Sequence, residues 1–318
     1  MTLTDCSLVI PTYHRPFEVI ELLEHLACTD DCPGEVIVVD GNPESNRLAK
    51  WMNSYDLPFK SVYIRSPAGL TRQRNIGVDA SAGEFVFFLD DDCFPDPGYF
   101  EAMREAFLPG VGAVAGTLIN ELNKPVSLRW RARFFLRLVP RGEPGRYYPT
   151  ATSVPRALMK PFTGTRPTDI FPGAAFACRR EVFGRHRFSE FFNGYSQGED
   201  VEMSMRIGRD WKILWCGDAR AVHQPAGGGR PGSFSKGRME VLNRYFIWQR
   251  YTPRPSLSCR GRFWADFLFI FFCDLARGQV VHASGVASGA IECLLAPPRY
   301  QEPNISYELH DTSYAVGN

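Results

Sequence analysis

A chain of 318 residues with 44% hydrophobic and 22% charged residues has an ordinary globular composition, enough for one large domain or two moderate ones. A net charge of +1 gives no reason to expect nucleic acid as a partner. Nine scattered cysteines, odd in number and without a CxxC pair, argue against a disulfide framework or a zinc site and point to a reducing cytoplasm. The start, "MTLTDCSLVIPTY", has no basic region followed by an apolar one, so no signal peptide is expected.

In chain order, "SLVIPTY", "EVIVVDG", "SVYIRS" and "EFVFFLDDD" are β-rich runs separated by the helical patterns "FEVIELLEHLA" and "LTRQRNIGVDAS". That alternation predicts a mainly parallel α/β sheet. In the first helix Val19, Leu22, Leu23 and Leu26 share one face and should lie on the sheet. "DPGYFEAMREAF" predicts a helix with Asp96 as N-cap, Pro97 at the first helical position and Phe100, Met103 and Phe107 as its buried stripe. "GVGAVAGTLI" is a buried strand. The composition shifts at "LRWRARFFLRLVPR", residues 128 to 141, with five arginines, aromatic residues and no acid, and a loop-rich stretch follows to about Pro172. "GAAFACRREVF" predicts a strand leading into a helix, "GEDVEMSMRIGR" a helix opened by acids, and "WKILWCGDARAVHQ" one or two closing strands. After a Gly-rich loop, "PAGGGRPGS", the remainder is helical and aromatic.

In an open parallel sheet, ligands bind beyond the carboxyl ends of the strands. Four features land there: "PTYHR", Asp40, "RSPAGLTRQRN" and the triplet Asp90, Asp91, Asp92. No GxGxxG follows the first strand and no GxxxxGK[ST] occurs, which lowers dinucleotide and P-loop readings. Carboxylates roughly 6 Å apart repel by about 0.7 kcal/mol in water and about 3 kcal/mol at an effective dielectric near 20. Solvent offsets this if the triplet is an exposed turn or helix N-cap; a divalent cation is the sharper alternative. Alternation along an extended strand end puts Asp90 and Asp92 on one side and Asp91 on the other. Hard oxygen ligands suit Mg2+ or Mn2+ bound with phosphate oxygens, and so a phosphorylated substrate.

The series "LVIPTYHR", "EVIVVDG", "GLTRQRNIG", "GEFVFFLDDDC" and "GED", in this order over residues 5 to 225, resembles the inverting family 2 glycosyltransferases of GT-A fold. The resemblance implies an α/β, Rossmann-like GT-A sheet, mainly parallel and flanked by helices, with a helical C-terminal extension. It implies a domain over 1–225, with 1–120 as nucleotide-sugar-binding half and 121–225 as acceptor-binding half, and an extension over 226–318. Pro11, Thr12, Tyr13, Arg15 and Asp40 match the nucleotide-holding positions, Arg72, Arg74 and Asn75 the basic segment near the nucleotide and diphosphate, and Asp90 the acid facing the ribose; Asp91 is counted with the nucleotide-sugar-binding residues or serves only the turn. Asp92 matches the metal ligand, with Asp90 and His223 as further candidates. Asp200 matches the general base and Glu199 stands beside it. The implied activity is metal-dependent transfer of a sugar from a nucleoside diphosphate sugar to a hydroxyl of a glycan, a lipid-linked acceptor or a surface polysaccharide precursor, with Mn2+ or Mg2+ as cofactor. The rivals are a sugar-nucleotide nucleotidyltransferase, which would want a GxGTR-like loop, and a non-catalytic nucleotide- or glycan-binding module.

Bland alternatives stand beside these roles: a turn for Asp40, a solvated helix face for the arginines, helix-dipole stabilisation for "GED", a structural strand-end histidine for His223. Arg230, in the Gly-rich loop, is either a phosphate ligand or part of a plain linker. The run 129–141 suits an anionic membrane surface, a lipid diphosphate carrier or a solvated lid. Phe263 to Cys273 is about half the roughly 20 residues a membrane span needs, and Asp266 interrupts it. Segment 262–277 is then a core helix or an interfacial one. The expected location is the cytoplasm or the cytoplasmic face of a membrane.

Overall fold

The structure is a computed structural model describing residues 3–42, 46–192, 194–227 and 231–301, and the backbone of 314–316. Arg230 therefore lies outside the described residues. The chain divides into two compact units, one of residues 1–121, 161–229 and 303–318, the other of 122–160 and 230–302.

The first unit is built on strands β1 (Leu3–Thr12), β2 (Pro33–Asp40), β3 (Lys60–Arg65), β4 (Phe85–Leu89), β5 (Cys93–Pro95), β6 (Val111–Leu118), β7 (Thr165–Pro167), β8 (Ala175–Arg179), β9 (Lys212–His223) and β10 (Tyr314–Val316). Their order is β10-β3-β2-β1-β4-β8-β6-β9-β5, with β7 beside β9. From β3 to β4 the pairing is parallel. Strand β8 runs antiparallel to both β4 and β6, and β5, β7 and β10 are also antiparallel to their neighbours. The sheet is thus mixed rather than mainly parallel, because β8 arrives after a long excursion instead of through a crossover helix. Strand order reverses at β1, whose neighbours β2 and β4 both follow it in the chain; a crevice opens at such a point.

Helices α1 (Pro16–Ala27), α2 (Arg47–Ser54), α3 (Leu70–Ala80), α4 (Tyr99–Glu105) and α6 (Glu199–Ile207) belong to this unit. On α1 the buried residues are Val19, Leu22, Leu23 and Leu26, the stripe expected from the period. Helix α4 starts two residues later than the sequence suggests, with Gly98 at φ 82° as its N-cap. Asp31, far away in sequence, satisfies its first turn by accepting from the N–H groups of Gly98, Phe100 and Glu101 at 3.1, 3.0 and 3.3 Å. After β8 the chain makes a 3-10 turn (Arg180–Gly184), not the expected helix, and 212–223 is a single strand.

The second unit holds α5 (Leu128–Phe135), α7 (Ser233–Tyr251), α8 (Leu257–Ala276) and α9 (Val280–Leu295). The arginine-rich stretch 128–141 opens with helix α5. Val241, Trp248, Phe263, Phe267, Ile270 and Val286 form the core here, with the Trp248 and Phe263 rings stacked at 4.3 Å. Asp266 is wholly buried on α8 and takes both prongs of Arg133 at 2.7 and 2.6 Å, with Arg244 at 3.0 Å. Its charge thus faces inward, which makes α8 a packed helix of this unit.

Two predictions follow from the sheet. Gly77 of α3 faces Val9 of β1 so closely that a Cβ would overlap the valine side chain. Gly77→Ala should destabilise by about 1–3 kcal/mol through overpacking, read as a lower urea midpoint at unchanged slope. Glu35 of β2 accepts from the Ser7 hydroxyl, the Ala82 N–H and Lys60. Burial pushes its pKa up, but those donors prevail and hold it below the usual carboxylate value. A depressed folded pKa gives stability that is present above the unfolded value and is lost as pH falls through the folded one. Glu35→Gln should remove one proton's worth of slope, about 1.4 kcal/mol per pH unit, from the acid limb of the stability curve.

Candidate active site

Beyond Thr12 the backbone turns through His14 in the left-handed region, φ 57°, before Pro16 opens α1. That turn aims Tyr13 and Arg15 over the end of the sheet. There a cavity of about 250 Å³ is lined by Pro11 and Thr12 of β1, Tyr13 and Arg15 just after it, Asp90 and Asp91 just after β4, and Tyr195. Gln73 on α3 also lines it and donates to the carbonyls of Thr12 and Val39, both at 2.7 Å, clamping the ends of β1 and β2 together. Nothing in "TRQRN" marks Gln73, an uncharged residue between two arginines, because its partners are backbone carbonyls on other strands.

The acid triplet does not alternate as a strand end would. Strand β4 stops at Leu89 and the chain turns, with Cys93 N–H donating to the Asp90 carbonyl at 3.0 Å. Asp91 points into the site rather than away: it accepts from the Thr12 hydroxyl at 2.7 Å and from Arg15 at 2.8 Å. The same guanidinium reaches Asp92 at 3.3 Å. Burial raises Asp91 to about 6 against the pull of Thr12 and Arg15. Asp90 lies deep among protein atoms yet keeps 32% of its side chain open, and burial raises it too, while Arg74 at 3.3 Å pulls it down. At Asp92 burial is outweighed by His223, the Ala226 N–H at 2.9 Å and Arg15, so its pKa is lowered.

Pairing of β5 with β9 puts Cys93 opposite His223, and so brings the ring to Asp92. His223 Nε2 lies 3.3 Å from Asp92 Oδ1, and its Nδ1 is 2.8 Å from Glu121 Oε1. Hydrogen bonds to these two acids raise His223 to about 9. Among the described residues, Asp92, Cys93 and His223 place possible ligand atoms within 4.8 Å of one another, and Asp90 stands outside that group. A carboxylate and an imidazole whose far nitrogen is held by a second carboxylate are a donor set that fits a divalent cation. No pattern in the sequence pointed to Glu121, whose role depends on a residue about a hundred positions later.

On the other side of the cavity, Arg74 is 1% exposed and donates to Glu199 at 2.9 Å, to the Gly173 carbonyl at 2.7 Å and to Asp90 at 3.3 Å. The N–H of Gly173 donates to Asp200 Oδ2 at 3.1 Å, and Val201 N–H to Oδ1 at 2.8 Å. The triplet and "GED" thus share one hydrogen-bonded unit. Burial, then the adjacent Asp200 charge, raises the Glu199 pKa against the opposing Arg74.

Three other expected residues are committed elsewhere. Asp40, opposite Thr12 in the β1–β2 register, accepts from Tyr63 at 2.7 Å and from Asn42 N–H at 2.8 Å. Arg72 pairs with Glu190 at 2.8 Å. The Asn75 amide is closed in a reciprocal pair with the Phe188 backbone at 3.0 and 2.9 Å. None of the three lines the cavity: α3 presents only part of its surface to it, and Asp40, at the end of β2, is turned to Tyr63 of β3.

Comparison with known proteins gives this geometry its context. A family model described as Glycosyl transferase family 2 matches residues 7–187, more than half of the chain. A protein of Haemophilus influenzae named only as a glycosyltransferase is 35% identical over 89 residues, 28% of this chain and 30% of that protein. Human polypeptide N-acetylgalactosaminyltransferase 13 is 25% identical over 233 residues, 66% of this chain and 39% of that protein. The chain therefore spans well under half the length of these relatives. Among solved structures, the mannosyltransferase PcManGT of Pyrobaculum calidifontis, in complex with GDP-Man and Mn2+, aligns over 92% of this chain and 88% of that one, with a TM-score of 0.53 at 18% identity. GalNAc-T7 with UDP, GalNAc and Mn2+ aligns over 83% and 55%, with a TM-score of 0.54 at 16% identity. Likeness at that level carries the GT-A fold, and the family match carries the assignment: this chain belongs to glycosyl transferase family 2.

Proposed function

We propose that this chain is a glycosyltransferase that moves a sugar from a nucleoside diphosphate sugar to a hydroxyl group with inversion, using a divalent cation at Asp92 and His223 and Asp200 as general base. The observation that carries the reading is the unit around Arg74, which joins the donor-side acid Asp90 to the acceptor-side pair Glu199 and Asp200. Donor groups come from 1–120 together with His223, and the base from 121–225. The fold neighbours with a nucleotide or nucleotide sugar and Mn2+ support the donor class and the metal.

Thr12 and Arg15, with Asp91 between them, would hold the nucleotide end of the donor against β1. Asp92 and His223 would hold Mn2+ or Mg2+, which when bound supplies positive charge against the leaving diphosphate. Inversion requires the acceptor oxygen to approach from the face opposite the leaving group and to lose its proton there. Asp200 suits that task because the Gly173 and Val201 N–H groups fix its orientation and leave lone pairs free to take the proton. Glu199 holds Arg74 rather than the acceptor. The acceptor class is a glycan, a lipid-linked saccharide or a polysaccharide precursor.

A panel of GDP- and UDP-sugars with and without Mn2+, read by diphosphate release and product mass, tests the reading. Asp200→Asn should lower kcat by about 10²–10⁴-fold with donor binding intact. Turnover equal to native in that variant, or consumption of a nucleoside triphosphate with pyrophosphate release, would overturn it. Arg74→Met leaves buried acids without their cation. It should lose turnover and cost about 3–5 kcal/mol of stability by chemical denaturation, and adding Glu199→Gln should recover part of that cost.

A further inference from the structure

The net charge of +1 conceals a division. Residues 122–160 and 230–302, the helical unit, carry 19 Lys and Arg against 6 Asp and Glu, a net +13; the rest of the chain carries 17 against 29, a net −12. The few acids of the helical unit are mostly spent internally. Asp266 pairs with Arg133 and Arg244, Asp274 with Arg129 and His282, and Glu292 with Arg238. Asp266 and Asp274 are wholly buried. Arg131, Arg137 and Arg141 are exposed and have no acid partner among the described residues.

The apolar residues of the same unit are arranged the opposite way. Helix α8 buries its two acids while turning Leu268, Phe272 and Leu275, at i, i+4 and i+7, outward, with Phe272 59% exposed. Phe135 on α5 is 79% exposed, and Leu294 and Leu295 on α9 are exposed as well. Of the exposed large hydrophobic residues among the described ones, fourteen lie in this unit against six in the other. Phe134, Phe135, Leu128 and Leu158, with Arg131 and Arg141, also line an open cavity of about 760 Å³. Among the described residues no helix is long and apolar enough to cross a membrane.

We propose that the helical unit docks on an anionic phospholipid bilayer, its arginines on lipid phosphates and its outward Leu and Phe side chains in the acyl boundary. Charge complementarity selects an anionic partner. The apolar residues select lipid over nucleic acid: eleven of the fourteen are Leu, Ile or Val, which offer no ring for bases to stack on. The inference does not rest on the catalytic reading, and its test uses no turnover.

Sedimentation of the full chain with phosphatidylglycerol-containing vesicles should be strong, and weak with pure phosphatidylcholine. Replacing Arg131, Arg137 and Arg141 by Gln should weaken partitioning about a hundredfold, roughly fivefold for each arginine. Leu268→Ser with Phe272→Ser should weaken it also in high salt, where the electrostatic part is screened. Phe272→Trp, which keeps all charges, should add a fluorescence signal that lipids brominated in the acyl chain quench beyond any quenching of the six native tryptophans in the unsubstituted chain. The proposal is overturned if the native chain ignores anionic vesicles or the added signal stays unquenched. Displacement by single-stranded RNA, with the Leu268→Ser, Phe272→Ser variant binding RNA as the native chain does, would identify a nucleic-acid surface instead and overturn it too.

Discussion

A buried guanidinium organises the first unit. At 1% exposure the Arg74 guanidinium has almost no water, so the fold must surround it with acceptors. Glu199, Asp90 and the Gly173 carbonyl do this, and the Phe176 and Phe188 rings flank it at 5.6 and 5.4 Å. Those acceptors come from the turn after β4, the loop before β8 and the first turn of α6. Satisfying one cation therefore fixes three segments whose residues span positions 90 to 199, and any substrate that bridges them meets a preformed arrangement.

The acid triplet is the opposite problem, negative charge gathered at a sheet edge. The protein answers it with different counter-charges for each member: Arg74 for Asp90, Arg15 with the Thr12 hydroxyl for Asp91, and His223 with the Ala226 N–H for Asp92. Glu121 then holds the far side of the His223 ring. Cation binding at Asp92 would exchange one positive neighbour for another, which costs less than bringing a cation to acids held apart by repulsion alone.

Much of the sheet was legible because its local periods are strong. The α1 stripe and the β1 to β4 runs carry their burial pattern in a few adjacent residues. Strand direction is not a local property, so the antiparallel insertion of β8 had no trace in "GAAFAC". The start of α4 was misplaced because its cap, Asp31, is supplied from another element. Helix α5 was hidden by inverted polarity: it buries Arg133 against Asp266 and exposes Phe135, so an amphipathic reading places its faces backwards. At the site, the motifs located Asp90, Asp92, Arg74, Glu199 and Asp200. The direction in which Asp91 points depends on a turn that alternation does not describe, and Gln73 and Glu121 act through partners far away in sequence.

The proposed division between Glu199 and Asp200 follows from what surrounds two adjacent acids. Both stand at the N-terminus of α6, where the helix dipole favours negative charge. Glu199 is buried and faces Arg74, and burial together with its neighbour's charge favours the protonated form. Asp200 is only half-buried, and the N–H groups of Gly173 and Val201 fix its orientation beside the loop that also binds Arg74. The proposed base is thus joined, through Gly173 and a single arginine, to Asp90 of the acid triplet, so the two acids are held in one fixed arrangement.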